Sequence, residues 1–176
     1  MNMTVKRLVA DALCTALYIA LNLVSVPLPG IKLTLDALPI ILAAILYGPV
    51  DGLIVGLTGN FLAAAVGLGY GLSVTTPLWM LPPGLRGLLV GLAARSRKFS
   101  LRPLPLGLLM VVTALITTAA NTGVMWLDCQ VFHYSFLVTY LPGIPARILA
   151  GILTALIYTF VLPPLLRALG YQKEET

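Results

Sequence analysis

The chain has 176 residues, of which 59% are hydrophobic and 10% charged, and its formal net charge is +5. Together with a mean hydropathy of +1.00, this excludes a water-soluble domain and indicates a polytopic, all-α membrane protein. No long hydrophilic stretch is present to hold a catalytic or nucleotide-binding domain, and the positive charge is expected from loop placement across a bilayer rather than from nucleic-acid binding.

Six apolar spans are expected, at 8–26, 35–47, 49–66, 77–94, 104–127 and 145–162, within a single transmembrane domain covering 1–176. Lys6 and Arg7 precede the first span, which Pro27, Pro29 and Gly30 end in a loop carrying Lys32. This span is expected to remain in place rather than be cleaved as a signal peptide, because five more follow it. The second span is short and contains Pro39. At about 1.5 Å rise per residue it cannot cross a ~30 Å core unaided and must be shielded by its neighbours.

Gly48-Pro49 forms a tight turn, with Pro49 opening the third helix, which ends in G-L-G-Y-G-L. Thr76-Pro77 reads as an N-cap and a helix-starting proline for the fourth span. Pro82-Pro83 is expected to bend or break that span. A basic segment with Arg95, Arg97, Lys98 and Arg102 follows, then the fifth span and a polar loop, D-C-Q-V-F-H-Y-S. Pro142, Gly143 and Pro145 break the chain before the sixth span, and Pro163-Pro164 are expected to stop it.

Six spans put both termini on one side. Lys6, Arg7, the Arg95–Arg102 cluster, Arg167 and Lys173 fall there and Lys32 on the other, so the excess of basic residues makes the termini cytoplasmic. Cys14 and Cys129 then lie toward opposite faces and are not expected to pair.

Several residues carry two readings. Ala12, Ala16 and Ala20 share one face of the first helix, either packing within the subunit or docking another membrane subunit. Gly52, Gly56, Asn60 and Ala64 on the third helix, and Gly87 and Gly91 on the fourth, read as internal packing stripes. Asn60 is the exception, since an amide in an apolar helix needs a partner, from a helix or from a ligand. Arg86 lies well inside the fourth span, where a cation costs roughly 2.5–3.5 kcal/mol. It either bonds the carbonyls freed by the two prolines or meets an anionic substrate. Arg147 either snorkels to the interface or lines a site from outside. Tyr70, Trp79 and Trp126 suit an interfacial aromatic belt or a stacked ring ligand. Asn121, with Thr117, Thr118 and Thr122, marks either a solvated cavity or helix–helix hydrogen bonding.

Acidic residues sit near span ends or in the tail, with no carboxylate pair placed for metal or acid–base chemistry, no Ser-His-Asp set and no phosphate-binding loop. His133 reads as a loop residue and no metal set is available. An enzyme is therefore not expected, and no cofactor is called for. A bulky cation is not expected as substrate because no buried acid would balance it, and a proton-coupled carrier is disfavoured for want of its usual intramembrane carboxylate or histidine.

The first-helix pattern A-L-C-T-A-L-Y-I-A resembles the A-x-x-x-A signature of S-components, the substrate-binding subunits of energy-coupling factor (ECF) vitamin transporters. L-T-L-D-A-L-P-I-I-L-A-A-I-L-Y-G-P-V-D-G-L-I-V-G and T-T-P-L-W-M-L-P-P-G-L-R-G-L-L-V-G are similar to spans two to four of that family, nearest its folate-type and related members. Folate-type members carry a longer, proline- and aromatic-rich segment where this chain has G-L-G-Y-G-L-S-V.

The resemblance implies a bacterial, multi-pass cell-membrane subunit that binds a vitamin from outside and joins a transmembrane coupling subunit and two ATPase subunits, which hydrolyse the ATP. It implies that Ala12, Ala16 and Ala20 face the coupling subunit and that the loops Pro27–Thr34 and Gly67–Thr76 act as lids. The site would be lined by Trp79, Arg86, Asn121 and Arg147, with Asn60 and Tyr70 as further candidates. Two arginines with aromatics suit a carboxylate-bearing ring compound, with a folate-like vitamin expected. The alternatives are a stand-alone secondary carrier for a small organic anion and a structural membrane partner without a ligand.

Overall fold

A computed structural model describes residues 5–24, 26–28, 31–68, 71–96 and 99–171. Helix α1 spans Val5–Leu23, followed by an antiparallel pair of short strands, β1 (Val26–Leu28) and β2 (Ile31–Leu33), with Val26 opposite Leu33. The helices α2 (Ala37–Leu46), α3 (Pro49–Ala65), α4 (Thr76–Arg95) and α5 (Pro103–Phe132) follow. A single turn, α6 (Phe136–Thr139), and a 3-10 turn at Leu141–Gly143 lead into α7 (Ile144–Ala168). The first span thus ends earlier than expected, and the anticipated loop is a strand pair whose second strand lies against α7.

Helix α2 is the centre. It packs against α1, α3, α4 and α7, and Ala37 and Pro39 to Ile45 are all buried. That enclosure is how a helix of 10 residues is accommodated: its neighbours, not lipid, surround it. One cluster joins α2, α4, α5 and α7 through Ile41, Val90, Met110 and Tyr158, and a second joins α1, α2 and α3 through Tyr18, Ile40 and Val55. The Gly48-Pro49 turn holds Gly48 at φ 122, a value that a β-carbon disfavours.

The small stripes on α3 and α4 face each other. A Cβ at Gly91 would meet the Pro49 backbone, and one at Gly87 would overlap the Gly52 carbonyl. By contrast, Ala12, Ala16 and Ala20 are exposed, whereas Asp11, Thr15 and Tyr18 form the buried face of α1. Thr15 and Thr58 hydroxyls meet at 3.2 Å and join that face to α3.

Three expectations are corrected. Helix α4 runs unbroken through Pro82-Pro83, and α7 continues past Pro163-Pro164 to Ala168. Proline's fixed φ is itself helical and each pair removes only two donors, so packing prevails: α3 closes on α4 at Pro83, and fully buried Leu162 and Leu166 hold α7 to the core. Helix α5 extends through the stretch expected as a polar loop, ending at Phe132 with His133 in the left-handed conformation at φ 56. Its acidic residue, Asp128, finds hydrogen-bond donors without leaving the helix.

The third correction concerns buried acids, of which none is expected from the sequence. Asp11 and Asp51, 3% and 1% exposed, stand side by side between α1 and α3. They lie on two helices distant in sequence, which hid the pair. Arg7 bonds Asp51 at 2.5 Å and the Tyr47 carbonyl at 2.7 Å, pinning the start of α1 to the α2–α3 turn.

Pro103–Phe132 and Phe136–Ala168 are long and apolar enough to cross a membrane. Their outward side chains are apolar too: Leu108, Val112 and Leu115 on α5, and Leu149, Leu153 and Phe160 on α7, are exposed. Such a surface is a liability in water and ordinary against lipid.

Candidate ligand-binding site

A cavity of about 530 Å³ opens between α1, α2, α3, α4, α5 and α7, within the ~300–1,000 Å³ usual for small-molecule sites. Its base is the start of α2, where Asp36, Ala37 and Ile40 face it. Tyr18 and Asn22, one helical turn apart on α1, share a wall with Asn60 of α3. Trp79, Pro83 and Arg86 come from α4, and Thr117, Thr118, Asn121 and Met125 from successive turns of α5. Helix α7 closes the ring with Arg147, Gly151, Thr154 and Tyr158.

Hydrogen bonding within the walls determines what they offer a ligand. The Thr117, Thr118 and Thr154 hydroxyls each donate to a carbonyl one turn earlier in their own helix, so their oxygens remain available as acceptors. The Asn22 amide donates to Asp36 Oδ2 at 2.9 Å, and the Asn60 amide to the Tyr18 hydroxyl at 3.4 Å. Donors and acceptors are therefore mixed.

Arg86 is 9% exposed, its guanidinium lies 5.2 Å from the centroid of the Tyr158 ring, and Asp36 and Tyr158 are its electrostatic neighbours. Its Nε and Nη2 have no hydrogen-bond partner among the described residues. They are not tied to the carbonyls freed by Pro82-Pro83. Arg147 stacks 5.3 Å over the Tyr140 ring and contacts the Met125 sulfur. Trp79 donates its indole N–H to Asp128 at 3.3 Å, while Asp128 also accepts from Thr75 at 2.5 Å and from Tyr134. The Asp128 carboxylate, and secondarily the Tyr140 hydroxyl, push the Tyr134 phenol above its ordinary pKa.

Trp79, Arg86, Asn121, Arg147 and Asn60 thus surround one cavity. Tyr70 lies outside the described residues, and Trp126 is exposed on the outer surface, away from the cavity. Sequence reasoning missed Asp36, Tyr18, Asn22, Thr154 and Tyr158. The pairs Tyr18/Asn22 and Thr154/Tyr158, each spaced by four, were the available signal. Asp36 overturns the expectation that no acid reaches the site: it precedes a helix too short to lift it to the surface.

Residues 2–168 match a family model described as ECF-type riboflavin transporter, S component. Relatives include UPF0397 proteins of Streptococcus pneumoniae strains 70585, Taiwan19F-14 and CGSP14, each 35% identical over 91 residues, which is 51% of this chain and 48% of the relative. The match therefore spans about half the length of these curated relatives. With the family matched over nearly the whole sequence and two long helices facing outward with apolar side chains, this membrane protein belongs to the ECF-type riboflavin transporter S-component family.

Proposed function

We propose that the chain is the substrate-capture subunit of an ATP-driven ECF-type vitamin transporter and that its ligand is riboflavin or a similar uncharged ring compound bearing hydroxyls. Six helices cross the bilayer, α1 to α5 and α7, with the termini cytoplasmic and the cavity mouth outside. A transmembrane coupling subunit docks on Ala12, Ala16 and Ala20, and two ATPase subunits supply the energy; nothing in this chain hydrolyses ATP. Of the two expected lids, Pro27–Thr34 and Gly67–Thr76, residues 29–30 and 69–70 lie outside the described residues; the rest cover the mouth.

One observation carries the reading: the cavity sets an acid, Asp36, against two arginines, Arg86 and Arg147, among amides and threonine hydroxyls. A neutral ligand with donors and acceptors on its ring edge and side chain can meet all of them, whereas a dianion would face Asp36. Trp79 and Tyr158 supply aromatic surface for a ring. The family description supports the same ligand class. Trp79, Arg86, Asn121, Arg147 and Asn60 are assigned as its contacts.

A second reading, a carboxylate-bearing vitamin of folate type, is favoured by the unpartnered Nε and Nη2 of Arg86. Mass spectrometry of the compound released on denaturing the detergent-purified protein separates the two. Stoichiometric riboflavin supports the first, and a folate or pterin the second. An empty protein that binds neither riboflavin nor a folate or pterin in titration removes both and leaves a stand-alone carrier or a structural partner.

A further inference from the structure

We propose that Asp128 is a positioning residue for the ligand site: it holds Trp79 in the cavity wall and straps α4 to the α5–α7 connection across the mouth. This rests on reading the cavity as the ligand site, but the residue itself does not line it. Asp128 sits near the end of α5, buried, where its carboxylate gathers donors from three segments. Thr75 Oγ1 donates to Oδ1 at 2.5 Å from the residue before α4, and Trp79 Nε1 donates to the same oxygen at 3.3 Å from its first turn. Tyr134, just beyond α5, donates to Oδ2.

The network does not end there. The Tyr134 and Tyr140 hydroxyls lie 3.2 Å apart, and Tyr140 carries the Arg147 guanidinium over its ring. Contacts therefore run without a gap from Trp79 on α4 to Arg147 on α7, and both ends of the run line the cavity. Met125, about one turn before Asp128 on α5, and Cys129, the residue after it, pack with Tyr140 beneath the strap. A carboxylate accepting several hydrogen bonds is stronger than a neutral acceptor, so the indole is fixed in orientation before a ligand arrives, which reduces the ordering cost of binding.

The chain has two tryptophans, so a Trp126→Phe background leaves Trp79 as sole reporter; Trp126 is half exposed on the outer surface. In that background, Asp128→Leu is expected to red-shift Trp79 emission and raise its acrylamide quenching in ligand-free protein. It is also expected to speed riboflavin release by about tenfold. Tyr134→Phe, which leaves Thr75 and Trp79 bonded, is expected to keep the emission and speed release by about threefold.

Unchanged Trp79 emission in Asp128→Leu overturns the proposal, as does a lowered melting temperature with neither emission nor release altered. If Asp128→Leu does not fold, Asp128→Asn serves, with a smaller shift expected and no shift decisive against. Should wild-type protein bind no riboflavin, the ligand assignment fails, while the emission and quenching of ligand-free protein still decide the role of Asp128.

Discussion

Gly56 on α3 lies directly against Pro83 on α4: a Cβ at Gly56 would stand 2.6 Å from both the carbonyl carbon and the carbonyl oxygen of Pro83. The neighbour is backbone, so it cannot swing aside. Gly56→Ala would gain up to about 1 kcal/mol in helix propensity, but overpacking here costs about 1–3 kcal/mol. The clash wins. The thermal midpoint in detergent is expected to fall, whereas Gly123→Ala, with no atom within 4 Å of its new Cβ, should hold or raise it. A Gly56→Ala protein as stable as wild type would show that this contact does not set the α3–α4 separation.

Arg86→Met removes one of the two arginines from the cavity wall and leaves Arg147. Truncating a buried charged contact costs about 2–5 kcal/mol, so ligand affinity is expected to drop at least about thirtyfold in a riboflavin titration. The fold should persist, because Asp36 keeps its bond from Asn22. Wild-type affinity would remove Arg86 from the site.

Asp36→Asn leaves Arg86 without its opposing carboxylate. Riboflavin affinity is expected to fall about tenfold, while carboxylated ring analogues gain relative to it. The quantity to measure is the ratio of the two affinities in competition binding. An unchanged ratio would mean that Asp36 has no part in selecting the ligand's charge.

Ala16→Trp places a large ring on the exposed face of α1. Binding to the isolated subunit should be unaltered, since Tyr18 and Asn22 face the other way, into the cavity. Uptake by cells supplied with a coupling module should be abolished. Normal uptake would move the docking surface elsewhere.

How much of this was legible in the sequence depended on whether the signal was local. The short second span declared its need for shielding through length alone, and Arg86 and Asn121 stood out as polar groups in apolar helices. Adjacent prolines predict a bend, break or stop, but Gly56 of α3 packs against α4 at Pro83 and buried Leu166 seats the end of α7 in the core, and both helices continue. Asp11 and Asp51 are 40 positions apart, and no periodicity reports that α1 and α3 set them side by side. Asp128 was assigned to a loop because the donors that satisfy it, Thr75 and Trp79, come from another helix.

The shortness of α2 also fixes the depth to which a ligand descends. Ten residues of helix rise about 15 Å, roughly half of a ~30 Å hydrocarbon layer. The cavity opens at the start of α2, where Asp36, Ala37 and Ile40 line it. Arg86 and Tyr158 sit nine and ten residues before the ends of their helices at Arg95 and Ala168, again about 15 Å from the face bearing the termini. In the orientation proposed above, a bound molecule would rest near the bilayer midplane, and the proposed energy-driven step would cover the remaining ~15 Å.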